Sequence, residues 1–192
     1  YTLRNFKGTT ELVQAYTNWQ HKFTEKITMN TGIHYQQLLL NNSWAVEPRW
    51  GLRWAFAKKQ SLSLGAGLHS QMAPLYVYFS TARYPDGTVK ETNRNLDFTR
   101  SLQSVLAYDL NIGENARIKS EVYYQYIYDA PVKQNPSYFS SLNLGADFNS
   151  PNVDSLVNKG LGNNYGFEFT LEKFFSKGYY YLVTASLFES KY

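Results

Sequence analysis

The chain of 192 residues carries 19 Lys and Arg against 15 Asp and Glu, a formal net charge of +4, and it contains no cysteine. The absence of cysteine excludes disulfide bonds and thiolate metal sites, and the scattered basic residues argue against a nucleic-acid-binding surface. No stretch reaches the roughly 18 apolar residues of a membrane-spanning helix, while the length is sufficient for one domain with a sizeable core.

Aromatic residues make up 17% of the chain, with 17 Tyr, 12 Phe and 4 Trp. A soluble core needs few tyrosines, whereas Tyr and Trp concentrate where a membrane meets water, because their rings are apolar and carry a polar group. The mean hydropathy is negative, but membrane β-barrels also average to an ordinary hydropathy because apolar and polar residues alternate along their strands. The composition is therefore compatible with a soluble and with a membrane-embedded β-protein.

Eight segments show apolar residues at every second position, the pattern of a β-strand with one apolar and one polar face. The predicted strands are residues 12–23, 27–40, 45–56, 61–71, about 96–110, 116–128, and two more within 164–190, separated by a turn at 176–178. Residues 1–10 are unpatterned and are predicted to be a loop or the tail of another strand.

Two of the predicted strands contain an irregularity. In the fifth strand the alternation is poor, and a β-bulge near 101–104 would restore it. In the third strand, Pro48 lacks the backbone N–H group that a central strand needs. Because Pro48 lies near one end of that strand, we expect the lost donor to matter little.

The connections between the predicted strands differ in length on alternate sides. Those after the first, third, fifth and seventh strands are short, about 72–94 and about 129–161 are long, and 41–43 is the short exception on the long side. Strands of about ten or more residues joined in this way are typical of outer-membrane barrels, whereas a soluble β-sandwich has strands of about five or six residues.

We therefore predict an all-β fold of antiparallel, up-and-down transmembrane β-barrel strands. About eight strands are present, and they must either close on themselves or belong to a larger barrel. Open edges in lipid would leave backbone groups unpaired, at a cost of several kcal/mol each. The larger barrel is the prediction that we carry forward.

No arrangement of residues indicates catalysis or a bound cofactor. The sequence lacks a G-x-S-x-G elbow, a phosphate-binding loop and an H-E-x-x-H zinc motif. Glu168 and Glu172 lie four residues apart on one strand, about 13 Å along its axis, which is too far for a glycosidase pair. We predict a non-enzymatic protein without catalytic, cofactor-binding or metal-binding residues.

Charged residues on the polar faces of the strands are the candidate binding residues. The set predicted to face a barrel lumen comprises Glu47, Arg49, Arg53, His69, Lys119, Glu121, Glu168 and Glu172. Within it, Glu47, Arg49 and Arg53 share one face of one strand and are expected to pair with the charged residues of the sixth and seventh strands. Structural ion pairing and contact with a plug or a solute are both open interpretations.

Several motifs resemble the barrels of TonB-dependent outer-membrane receptors, particularly those of the Bacteroidetes type. Residues 164–181, NYGFEFTLEKFFSKGYYY, are similar to a late hairpin of these barrels, and 47–53, EPRWGLR, to a strand start often written EPR-x-GLR. The motifs GLHSQ at 67–71, PL at 74–75, E-x-YYQ at 121–125 and PV at 131–132 also resemble that group. Together they extend from Glu47 to Tyr192.

The resemblance implies a barrel of about 22 strands in the bacterial outer membrane, plugged by an N-terminal domain of the same protein. It also implies uptake of a scarce solute (a siderophore, a vitamin or a glycan) with energy passed on by TonB, and no nucleic-acid partner. Because neither a plug nor a TonB-contacting segment is found in 1–192, we expect one single barrel segment, the C-terminal part of the barrel, that stops inside it.

Two alternatives fit the same pattern. The first is a complete small outer-membrane β-barrel that acts as an anchor, an adhesin or a surface binding protein. The second is a soluble β-sandwich whose aromatic residues form a carbohydrate platform. The identity of the solute is not encoded in any motif of the chain.

Overall fold

The computed structural model describes residues 8–144 and 153–192, and most of them lie in one antiparallel sheet. Its eight strands follow in the order β1 (Leu12–Thr24), β2 (Ile27–Leu38), β3 (Ser43–Ala57), β4 (Gln60–Gln71), β7 (Thr99–Ile112), β8 (Ala116–Lys133), β9 (Leu156–Ser176) and β10 (Tyr179–Lys191). A separate hairpin of β5 (Thr81–Arg83) and β6 (Val89–Glu91) lies between β4 and β7. The predicted all-β, up-and-down fold is confirmed.

The predicted strands correspond to the eight strands of the sheet, with differences at their ends. The largest difference is in β9, which begins at Leu156, eight residues before the predicted start. The predicted loop at residues 1–10 lies mostly outside the described residues. The long connections, predicted as loops, also contain a short helix α1 (Leu75–Tyr78) and a 3₁₀ turn at Ser141–Leu144.

The bulge predicted at 101–104 is wrong. Residues 99–110 of β7 pair with β4 without a shift in register, so that Ser101 lies opposite His69 and Ser104 opposite Ala66. The alternation is poor because Ser104 is a polar residue on the mostly apolar face, not because a residue is inserted. The irregularity in this part of the sheet lies in β8, after Ile127, where Asp129 adopts a positive φ of 57°.

The two faces of the sheet differ in polarity and in exposure. On the apolar face, Leu64 is 44% exposed and Val122 is 55% exposed. On the polar face, Glu47 is 2% exposed and Ser61 is 3% exposed. The apolar face is therefore the exposed face of the sheet, which is the reverse of a soluble β-sandwich, whose inner faces form an apolar core. We call this apolar face the outward face.

The two ends of the sheet are built differently. At one end, tight turns join neighbouring strands, as at Lys177 and Gly178, whose φ angles of 54° and 86° are the positive values that a two-residue hairpin turn requires. At the other end lie the four-residue turn between β2 and β3 and the two long connections. We call these the turn end and the loop end.

A small hydrophobic core lies at the loop end, where the long connections pack over the sheet. Its buried members are Leu38, Ala45, Tyr78, Leu96, Phe98 and Leu156. The side chain of Asn93 holds the connections together, because its Nδ2 donates to the carbonyl oxygens of Val77 at 3.1 Å and Val153 at 2.7 Å, and its Oδ1 accepts from the N–H of Leu156 at 3.0 Å. The described parts of the long connections thus form a folded cap.

The first and last strands of the sheet are its edges, since β1 pairs only with β2, and β10 only with β9, within the described ranges. No helix in residues 8–144 and 153–192 has the length and apolar character needed to cross a membrane.

Candidate functional site on the polar face

All eight candidate residues lie on the polar face, because directly opposed residues of antiparallel strands share a face. The register places Arg53 opposite Ser63, Lys119 opposite Thr170, and Glu121 opposite Glu168. The structure divides the eight into two groups. One surrounds Glu47 near the loop end, and the other lies toward the turn end.

The group near the loop end occupies a place where β3 and β4 separate. Their pairing begins at the turn end with Ala57 opposite Gln60 and shifts in register between Ala57 and Trp54. It is then regular as far as Arg49 opposite Gly67, where it stops. We call the region beyond it, residues 44–48 of β3 and 68–71 of β4, the strand fork. The backbone N–H of Ala55 donates to the carbonyl oxygen of Lys26, on the side of β2. Every second residue of β3 counted from Ala55 therefore directs its backbone groups toward β2. The residues between them, including Pro48, direct theirs toward β4. Pro48 therefore lacks its N–H donor at the first position of the fork.

Side chains from the polar face fill the fork. Glu47 Oε1 accepts hydrogen bonds from the backbone N–H of Ser70 at 2.8 Å and from Nε2 of Gln36 at 2.7 Å. The same Nε2 of Gln36 donates to the carbonyl oxygen of Ser70 at 2.9 Å. Both backbone groups of Ser70 are therefore bonded by side chains, as burial of polar backbone groups requires.

Two basic side chains contact the other oxygen of the same carboxylate. Arg49 Nη2 lies 2.8 Å and His34 Nδ1 lies 3.0 Å from Glu47 Oε2. A buried carboxylate needs such charge-assisted partners, because removal from water is costly for an unpaired charge. The Arg49 side chain is still half exposed, so it also faces the space in front of the polar face. His69 lies beside it, since both side chains flank Gly67.

The group toward the turn end is a set of short ion pairs around a concavity of about 590 Å³. Lys119 Nζ lies 2.7 Å from Glu121 Oε2, and Arg117 Nη2 lies 3.4 Å from Glu172 Oε2. Arg53 lines the same concavity and donates to Ser61 Oγ at 3.4 Å. Within the described part of the chain, the side chain of Glu168 makes no hydrogen bond or ion pair.

The expected pairing of Glu47, Arg49 and Arg53 with the charged residues of the sixth and seventh predicted strands is wrong. Glu47 pairs with Arg49 on its own strand, while Lys119 and Glu121 pair with each other on β8. Ion pairing is local because each group lies at its own height along the strands. Between them, the opposed residues Gly51 and Gly65 leave the sheet without side chains on this face, and an added Cβ at Gly51 would meet nothing closer than 3.8 Å.

Sequence reasoning missed the polar residues that complete these groups. Gln36, Ser70 and Arg117 were not candidates, although the parity of Gln36 and Arg117 already assigned them to polar faces. Their partners depend on cross-strand register, which alternation alone does not provide. The described residues contain no group of three or more His, Cys, Asp or Glu side chains that could hold a metal ion.

Comparison with known proteins identifies the fold. No known family model matches the sequence, and no curated protein is detectably similar to it. Among solved structures, the siderophore receptor PirA of Pseudomonas aeruginosa is similar with a TM-score of 0.71 and 11% identity, over 94% of this chain and 34% of that one.

Two further structures show the same likeness. The FrpB iron transporter of Neisseria meningitidis (F3-3 variant) matches with a TM-score of 0.62 and 18% identity, over 94% of this chain and 26% of that one. The RagAB peptide importer matches with a TM-score of 0.65 and 12% identity, over 94% and 22%. The chain thus spans about a third or less of these structures.

The fold is that of the β-barrel of TonB-dependent outer-membrane receptors. This confirms the fold that the motif resemblance predicted. The three structures above are described as a receptor, a transporter and an importer.

Proposed function

We propose that the chain is one sector of the barrel of a TonB-dependent transporter in the bacterial outer membrane. In this proposal the apolar face contacts lipid and the polar face lines the lumen. The carrying observation is that the apolar face is the exposed one along the long central strands, within a fold shared with siderophore receptors over 94% of the chain. An apolar face on the outside of a sheet is stable when it contacts lipid instead of water.

The two edges of the sheet support membership of a larger barrel. β1 and β10 pair with one neighbour each within the described residues, so they do not close an eight-stranded barrel. Because unpaired edges are costly in hydrocarbon, further strands of the same protein supply the missing hydrogen bonds. This observation favours the transporter over the alternative of a complete small barrel that acts as an anchor, an adhesin or a surface binder.

The proposed cargo is a small scarce solute: a siderophore, a vitamin or a glycan. The proposed partners are the N-terminal plug domain of the same protein, which would contact the two charged groups of the polar face, and TonB. The C-terminal position in the barrel and the Bacteroidetes type rest on the motifs at 47–53 and 164–181. The concavity near Lys119 and Glu121 is lined by both basic and acidic side chains. It would therefore complement a plug surface that also carries both positive and negative charges.

Cysteine labelling of the full-length protein, purified and refolded into lipid vesicles, tests the orientation of the faces. The chain has no native cysteine, so Leu64→Cys and Ser63→Cys place a thiol on opposite faces at neighbouring positions. We expect a water-soluble maleimide to label the Ser63→Cys variant once the plug is displaced. A fluorophore on the Leu64→Cys variant, attached before insertion, should be quenched only by a lipid-attached quencher. Equal labelling of both variants by the soluble reagent contradicts the proposal.

Uptake is tested by deleting the native gene, and separately TonB, in cells grown with each solute class as the limiting nutrient. The proposal predicts the same growth defect in both deletions and rescue by the restored gene. Normal growth of the gene deletion on every limiting siderophore, vitamin and glycan, or uptake that persists without TonB, overturns it.

A further inference from the structure

The strand fork leaves a cleft on the opposite, outward face of the sheet. Its volume is about 620 Å³, and it lies at the loop end between β3, β4, β7 and β8. The lining side chains used below are Trp44, Val46, Leu68, Asp97, Arg100 and Tyr128. The cleft lies where the fork separates β3 and β4, and its lining also reaches Ala45 and His69 of the polar face.

The cleft combines aromatic walls with an apolar floor. Val46 and Leu68 lie on the apolar face of the two separated strands, and the Trp44 side chain is 58% exposed. In the described part of the chain the Trp44 ring contacts no other aromatic ring. By contrast, the ring centroid of Trp54, at the turn end of the same strand, lies 5.5 Å from the ring centroid of Phe56. Trp44 therefore presents a free ring face.

Three charged residues form two ion pairs at the edge of the cleft. The guanidinium of Arg100 lies 2.8 Å from Asp97 Oδ2 and 2.8 Å from Asp129 Oδ2. Of these three residues, Asp97 and Arg100 line the cleft, and their charges cancel, so the lining has no excess of positive charge for a phosphate. Partly exposed carboxylates and a guanidinium are good partners for hydroxyl groups, because they offer charged acceptors and donors in fixed planes.

We infer that this cleft binds the neutral saccharide headgroup of an outer-leaflet glycolipid. The C–H face of a sugar ring is attracted to the negative face of an indole or a phenol ring, and the sugar hydroxyls reach Asp97 and Arg100. The position fits this occupant, since the cleft opens on the lipid-facing side at the loop end, where the strands leave the membrane. The inference rests on the proposed function, because in outer-membrane barrels the longer loops lie outside the cell.

The test uses the full-length protein purified in lauryldimethylamine oxide, a detergent without a sugar. Dodecyl maltoside, a neutral glycolipid analogue, is added below its micelle concentration, and the bound fraction is measured by native mass spectrometry. Maltose supplies the free sugar, and dodecyl phosphoglycerol supplies an anionic headgroup on the same chain. The variants are Trp44→Ala and Tyr128→Ala, with Trp54→Ala as a matched aromatic control on the outward face.

We expect saturable binding of dodecyl maltoside that weakens at least tenfold in both cleft variants and is unchanged in the control, with much weaker binding of maltose. Equal loss in Trp54→Ala means that the aromatic residues act only as a membrane girdle, and overturns the inference. Preference for dodecyl phosphoglycerol also overturns it. If the barrel is inserted and imports its solute but binds no maltoside, the inference fails while the proposed function stands.

Discussion

Glu47 Oε1 accepts a hydrogen bond of 2.8 Å from the backbone N–H of Ser70, in a place where a sheet would normally provide a backbone carbonyl. A side chain thus continues the hydrogen bonding of β4 after its pairing with β3 has stopped. This hydrogen bond provides the Ser70 N–H with an acceptor at the strand fork, where β3 and β4 are separated. The outward cleft lies at the same fork.

Replacement of Glu47 by Ala should destabilise the barrel by about 1–3 kcal/mol, the usual cost of leaving a buried polar group without its partner, because the Arg49 side chain is half exposed and can be solvated by water. The change leaves Arg49 and His34 without their carboxylate and the Ser70 N–H without its acceptor. The measurement is the midpoint of urea unfolding followed by gel mobility without boiling. Glu168→Gln is the control and should change stability by less than about 0.5 kcal/mol. Equal effects would contradict the role of Glu47.

Replacement of Leu64 by Arg should cost about 2–4 kcal/mol, the penalty for a charge on the lipid face near the membrane midplane. Ser63→Arg, one residue away on the polar face, should be tolerated because its guanidinium can reach water. The folding stability of both variants is measured from the fraction that folds into lipid vesicles at increasing urea concentration. If Leu64→Arg folds as well as Ser63→Arg, the apolar face does not contact lipid.

Replacement of Asn93 by Ala should loosen the cap at the loop end without unfolding the strands. The variant leaves the Val153 carbonyl oxygen and the Leu156 N–H without their partner, and each buried unsatisfied group costs about 1–3 kcal/mol. The Val77 carbonyl oxygen keeps the N–H of Ser80 as a donor at 3.2 Å. Limited proteolysis should cut the connections at 72–98 and 134–144 faster. Glu91→Ala, which removes an exposed ion pair with Arg94, should leave the rate unchanged.

The cap should also open at high pH. Burial raises the pKa of Tyr78 from 10.0 to about 12, because the phenolate is poorly solvated there. The unfolded segment therefore loses this proton near pH 10 while the folded cap keeps it, so the stabilisation is complete below pH 10 and is lost as the pH rises to about 12. Proteolysis of the cap between pH 9 and 12 measures this, and Tyr78→Phe should remove that pH dependence. Unchanged alkaline opening in Tyr78→Phe would assign the effect to other groups.

The sequence alone determined the strands and their faces. Alternation at every second residue is a local property, so Tyr165, Phe167 and Phe169 could be assigned to one face without knowledge of their neighbours. The turn at Lys177 and Gly178 was likewise local, and so was the predicted lumen set, whose common face the register supports. The assignment of that face to a lumen stays a prediction.

Only the tertiary structure decided which of these residues meet. Cross-strand register sets Glu47 beside Gln36 and Ser70, and it separates Glu47 from Lys119. The cap was also invisible to periodicity, because Asn93 and Leu156 are 63 residues apart and lie in segments without a repeating pattern. Alternation assigns each side chain to a face, but contacts between distant segments follow from the pairing of whole strands, which no single strand encodes.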